Sequence, residues 1–143
     1  MVSHIRIMKI LICCSKFLYD KIPPIKEKLE KMGHIITMPN SYEEPLKEEE
    51  MKKISQEEHS KWKGNMIRLQ TEKVKANDAV LILNFEKNGQ KNYIGGATFL
   101  EIFRAFDSGK KIFLFNSIPD NILRDELMGM NPVIINGDLS RIK

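Results

Sequence analysis

Apolar residues fall along the chain in two alternating rhythms. Short, nearly continuous apolar runs occupy Ile5–Cys14, His34–Met38, Ala79–Leu83, Lys111–Phe115 and Pro132–Ile135. Runs of this length, rich in Ile, Val and Leu and bounded by Gly, Pro or Asn, predict buried strands. Between them the apolar spacing changes to three and four. Ile22, Ile25, Leu29 and Met32 predict a helix within 16–32, with Pro23 and Pro24 suited to its first turn and Gly33 to its end. The Lys- and Glu-rich stretch 47–77 predicts one long helix or two, broken near Gly64, with Trp62, Met66, Leu69 and Val74 as the apolar face. Residues 97–108 predict a helix closed by Gly109, and 121–130 a short one. Asn40–Pro45 and Asn84–Gly96 read as loops, and Asn136–Gly137 as a turn.

Strands and helices thus alternate from end to end, the pattern of a parallel sheet covered by helices on both faces. We expect one domain over 1–143, a three-layer α/β sandwich of the flavodoxin-like (Rossmann-like) kind, with five parallel strands in the order 2-1-3-4-5. The ligand crevice of such a sheet opens at the C-terminal ends of the first and third strands, where the winding reverses. Two loops meet there, Cys13–Phe17 and Asn84–Gly96. Their position nominates Ser15, Lys16, Asn84, Lys87, Tyr93, Gly95 and Gly96 as ligand contacts.

Composition narrows the chemistry. A chain of 143 residues, 42% hydrophobic and 29% charged, supports one ordinary globular core. No apolar run reaches the roughly 18 residues of a membrane span. Met1–Arg6 lacks a secretory pattern, so the expected location is the cytoplasm. The net charge of +4 is mild, and Glu48–Glu50 and Glu57–Glu58 interrupt the lysines. A nucleic-acid polymer calls for a basic stripe, whereas this distribution suits a small anionic ligand. Cys13 and Cys14 are neighbours in a strand and point to opposite faces, which disfavours a bridge between them; they read as two buried thiols. His4, His34 and His59 are isolated, without zinc-ligand spacing. The loop after the first strand has neither GxxxxGK[ST] nor GxGxxG, so no nucleotide cofactor is expected. Ser15 and Lys16 either hold a phosphate at a helix N-terminus or serve as a helix cap and a solvated lysine. The local sequence leaves both open.

Glu101 also has two readings. Phe99, Ile102, Phe103 and Phe106 set the expected buried stripe of their helix, which puts Glu101 opposite, beside Arg104 and Ser108, in solvent. Alternatively it is a carboxylate near a helix N-terminus at the crevice, kept ionised by the helix dipole and fit to be a nucleophile.

The stretch Gly95–Leu114 carries a Gly-rich loop, then E-x-x-x-A-x-x-x-G-K over Glu101–Lys110, then an apolar strand. It resembles the nucleoside 2-deoxyribosyltransferase family and the related deoxynucleotide N-glycoside hydrolases, closest to small archaeal-type members. Asp78–Ile82, and the first strand, polar loop and helix ending Lys31–His34, are similar too. The resemblance implies that Glu101 attacks the anomeric carbon of a (deoxy)nucleoside or nucleoside monophosphate and expels the base. A glycosyl-enzyme ester then passes to another base or to water. It implies that Ser15 and Lys16 contact ligand, that the glycines let backbone approach it closely, and that neighbouring copies complete each pocket in a homodimer or higher oligomer. Leu100, outside the apolar stripe of its helix, adds a surplus that a twofold contact would cover. Three positions depart from the family pattern. Gln70, with Glu72 nearby, stands where the family carries an Asp two turns before Asp78. Phe103 replaces a frequent Gly, and the glycines lie further upstream of the Glu. The alternative is therefore a catalytically inactive nucleotide-binding module of the same fold. An FMN carrier ranks third, because the first loop lacks a Ser/Thr-rich phosphate cradle.

Overall fold

The computed structural model describes residues 6–143; Ile5, the expected start of the first strand, and the isolated His4 lie outside them. Strands β1 (Lys9–Cys13), β2 (Ile35–Thr37), β3 (Ala79–Ile82), β4 (Lys111–Leu114) and β5 (Val133–Ile134) form one parallel sheet in the order β2-β1-β3-β4-β5. The helices are α1 (Ile22–Lys31), α2 (Lys47–Ile54), α3 (Gln56–Lys75), α4 (Gly96–Asp107) and α5 (Arg124–Gly129). This is the three-layer α/β architecture expected from the alternation. None of the described helices is long and apolar enough to cross a membrane.

Strand pleating sorts the core into two halves. Ile10, Ile12 and Cys14 face α1 and pack with Ile22, Ile25 and Leu29. Leu11 and Cys13 face the other layer, with Val74 of α3, Ile102 and Ala105 of α4, and Leu127 of α5. The adjacent cysteines are thus free, buried and on opposite faces. At the N-terminal edge, Asp78 Oδ2 accepts the Lys9 N–H at 2.8 Å and the Asp78 N–H returns a bond to the Lys9 carbonyl at 2.8 Å. That exchange fixes the register of β1 against β3 at their N-terminal ends.

Two local departures matter for the site. Residues 16–21, expected as helix, form a 3-10 turn; α1 begins at Ile22, with the prolines in its first turn. The 47–77 segment breaks at Ser55 and not at Gly64. Ser55 is extended (φ −173°, ψ 161°) and its hydroxyl accepts from the Glu58 N–H at 3.0 Å, so a new helix is capped there. Gly64 continues the i→i+4 ladder inside α3, because a lone glycine costs a helix only about 1 kcal/mol.

The apolar face expected for this segment is corrected as well. Val74 is buried, Leu69 is exposed, and Trp62 and Met66 line a cavity. No residue of α2 is buried; it packs on α3 as the outer arm of a helical hairpin.

A cavity at the switch point

A cavity of about 250 Å³ opens beyond the C-terminal ends of β1 and β3, slightly below the roughly 300–1,000 Å³ typical of small-molecule sites. The loop after β1 contributes Cys14, Ser15, Lys16 and Phe17. The loop before α4 contributes Lys87, Tyr93, Gly95 and Gly96. Helix α4 adds Ala97, Thr98 and Glu101. The third wall is the hairpin: Glu48 from α2, and Trp62, Lys63, Met66, Ile67 and Gln70 from α3.

Seven nominated residues therefore converge on one space: Ser15, Lys16, Lys87, Tyr93, Gly95, Gly96 and Glu101. Asn84 does not join them. It is fully buried, and its Nδ2 donates to the Asn116 and Ser117 carbonyls, both at 3.0 Å. Its Oδ1 accepts the Asn116 N–H at 2.8 Å. Every polar arm of Asn84 thus ties the exit of β3 to the exit of β4, leaving nothing for a ligand.

Glu101 reverses the patterning expectation. It is only 6% exposed, while Leu100, Phe103 and Phe106 are 44%, 45% and 51% exposed. The face of α4 that meets the sheet consists of Thr98, Glu101, Ile102 and Ala105. Small residues at 98 and 105 bring the helix close to the strands, and this approach seals Glu101 in. Its expected ionisation by the helix dipole is overturned too. Burial pushes its pKa up to about 8, against smaller opposing effects of a hydrogen bond with Cys13, the charge of Lys73 and a hydrogen bond with Gln70. The carboxyl is therefore protonated at neutral pH. The same burial, with Glu101 beside it, pushes the Cys13 thiol far up and holds Cys14 at about 12, so neither is a nucleophile.

Gln70 donates from Nε2 to the Ala97 carbonyl at 3.3 Å, while its Oε1 is buried without a partner. One turn on, Lys73 bonds the Met38 carbonyl at 2.9 Å, and burial lowers its pKa.

Of the reading of the first loop as a cap and a solvated lysine, the structure shows the cap and not the solvated lysine. Ser15 caps the 3-10 turn, its hydroxyl facing the Phe17 N–H at 3.4 Å. Lys16 is not solvated. It pairs with Glu49 and lies 3.5 Å from Glu48. Glu48 also takes Lys63 at 3.1 Å and His59 Nε2 at 3.0 Å. Burial raises its pKa, but these bonds outweigh that and hold it near 2. Lys87 sits 4.3 Å and 4.5 Å from the Phe17 and Tyr93 ring centroids. A side chain at Gly95 would place its Cβ 3.1 Å from the Tyr93 hydroxyl, so this glycine keeps Tyr93 against the start of α4.

The α3 stripe Trp62, Met66, Gln70 and Lys73 escapes a reading that looks only for core. Its sequence signal is an amphipathic helix whose apolar side is interrupted by Gln and Lys at helical spacing. Among the described residues no group of three His, Cys, Asp or Glu is placed to hold a metal ion. Compared with family models, curated proteins and solved structures, the chain matches none.

Proposed function

We propose that the protein cleaves or transfers the N-glycosidic bond of a (deoxy)nucleoside or nucleoside monophosphate, with Glu101 as the nucleophile. One observation carries this reading: a single carboxyl is buried at the wall of a small-molecule cavity, at the crevice where this topology binds ligands. In the reaction a Glu101 oxygen bonds to the anomeric carbon as the bond to the base nitrogen breaks. Water or a second base then displaces the ester. The negative charge of the ionised carboxylate suits an oxocarbenium-like transition state. Because the resting group is protonated, the ionised fraction limits the rate below about pH 8.

A specific observation favours a second reading, an inactive binding module. Gln70 has no proton to give a leaving base, and Glu101 is neutral at physiological pH. Incubation with a panel of nucleosides and their monophosphates, with and without an acceptor base, separates the two. Release of free base, lost in Glu101→Gln, supports the enzyme. Ligand-induced thermal stabilisation with every ligand recovered unchanged supports the module.

We further infer a homodimer. Leu100, Phe103 and Phe106 lie three residues apart on one exposed face of α4, and a twofold contact would bury all three in both copies at once. Supporting a location away from the bilayer is the lack of a membrane-spanning helix among the described residues.

A further inference from the structure

Lys16, Glu48 and Lys63 line the cavity together. They come from three elements: the turn after β1, α2 and α3. Glu48 is their common point, with Lys63 and His59 Nε2 within 3.1 Å and Lys16 at 3.5 Å. Three basic groups converging on one carboxylate at a cavity wall is the donor arrangement of a bound oxyanion. The carboxylate that fills it belongs to the chain. It also belongs to a helix with no buried residue, so moving it disturbs no core packing. Beside it, Glu49 pairs with Lys16 through one oxygen and leaves the other buried without a partner, so the cluster holds more acceptors than its bases meet and Lys16 keeps a partner when Glu48 moves.

We propose that Lys16, Lys63 and His59 form a subsite for the phosphate monoester of the ligand, and that Glu48 occupies it as an internal stand-in until the ligand displaces it. A monoester carries about −1.5 to −2 charge and three acceptor oxygens at neutral pH, so it satisfies three donors better than one carboxylate. Displacement breaks the ties from Glu48 to Lys63 and His59 of α3 while Glu49 keeps its pair with Lys16, and binding therefore loosens the outer arm of the hairpin. That the monoester is a nucleotide's rests on the N-glycoside reading; the exchange itself does not.

Titration calorimetry on the full chain tests it, with deoxyadenosine, its 5′-monophosphate and inorganic phosphate as probes. The proteins are the parent, Glu48→Gln, Lys63→Met and, as a charge-matched control, Glu57→Gln, whose partner is the exposed Lys61. Glu48→Gln should bind the monophosphate about tenfold tighter than the parent, and Lys63→Met about tenfold weaker. Glu57→Gln should match the parent, and nucleoside affinity should be the same throughout. Amide exchange across Lys47–Ile54 of the parent should accelerate when the monophosphate binds, a readout that needs no variant to fold. Unchanged or weaker monophosphate binding in Glu48→Gln, or slower exchange in α2, overturns the proposal. Equal affinity for inorganic phosphate and nucleotide overturns the assignment to a ligand's monoester. Exchange confirmed with no base released leaves this subsite standing and removes the glycoside reading; base released with Glu48→Gln no tighter does the reverse.

Discussion

Glu101 ties stability to pH in a direction opposite to most carboxylates. Its pKa is about 8 in the fold against 4.5 unperturbed. The unfolded chain ionises first as pH rises, so this contribution to stability is fully present below about pH 4.5 and is lost toward pH 8. The slope is at most about 1.4 kcal/mol per pH unit. Glu101→Gln removes the conflict. At pH 8 the variant should be more stable than the parent by about 2–4 kcal/mol, and at pH 4.5 nearly equal. Urea midpoints at the two pH values check this, and a gap that does not widen with pH rules out a buried neutral carboxyl. Turnover gives an independent measure. A nucleophilic Glu101 yields a rate that climbs as pH approaches 8 and levels only above it, whereas a general acid yields one that falls as pH rises through 8. The motif around Glu101 was legible in the sequence; its burial was not. Large aromatics dominate any apolar ranking of 97–108, yet Thr98 and Ala105 decide which face touches the sheet because they are small.

Among elements, the strands and α1 could be read directly, since continuous apolar runs have one interpretation in a sheet buried on both faces. The α2–α3 hairpin was misplaced by nine residues although its signal was present. Ser55-Gln56-Glu57-Glu58 is an S-x-x-E capping pattern, and it outranks a mid-helix glycine because it satisfies orphan N–H groups. The exits of β3 and β4 are the next level of organisation, and Asn84 joins them. Asn84→Ala should lower unfolding free energy by about 2–4 kcal/mol, because the Asn116 N–H and the carbonyls of Asn116 and Ser117 lose buried partners. Nucleotide affinity of the folded variant should match the parent's. A tenfold loss of affinity with stability intact would return Asn84 to the ligand site.

At the scale of the molecule, strand order and layering followed from the alternation of elements, because a right-handed crossover leaves few ways to wind five parallel strands. The outward apolar face of α4 did not follow, being set by the same close approach that buries Glu101. The proposed dimer rests on that face. Light scattering at micromolar concentration should give twice 16.6 kDa, and Phe103→Glu should reduce it to one chain; a single-chain mass for the parent, unchanged on concentration, rules the dimer out. The sheet itself offers no rival route to association. Its edge strands are three and two residues long, with Pro39 just beyond β2 and Pro132 just before β5. Edges this short, flanked by residues that cannot donate, give another chain no template for strand addition. Association through a helix face closes on itself after one partner, so concentrated protein should stop at a discrete particle and not grow into fibrils.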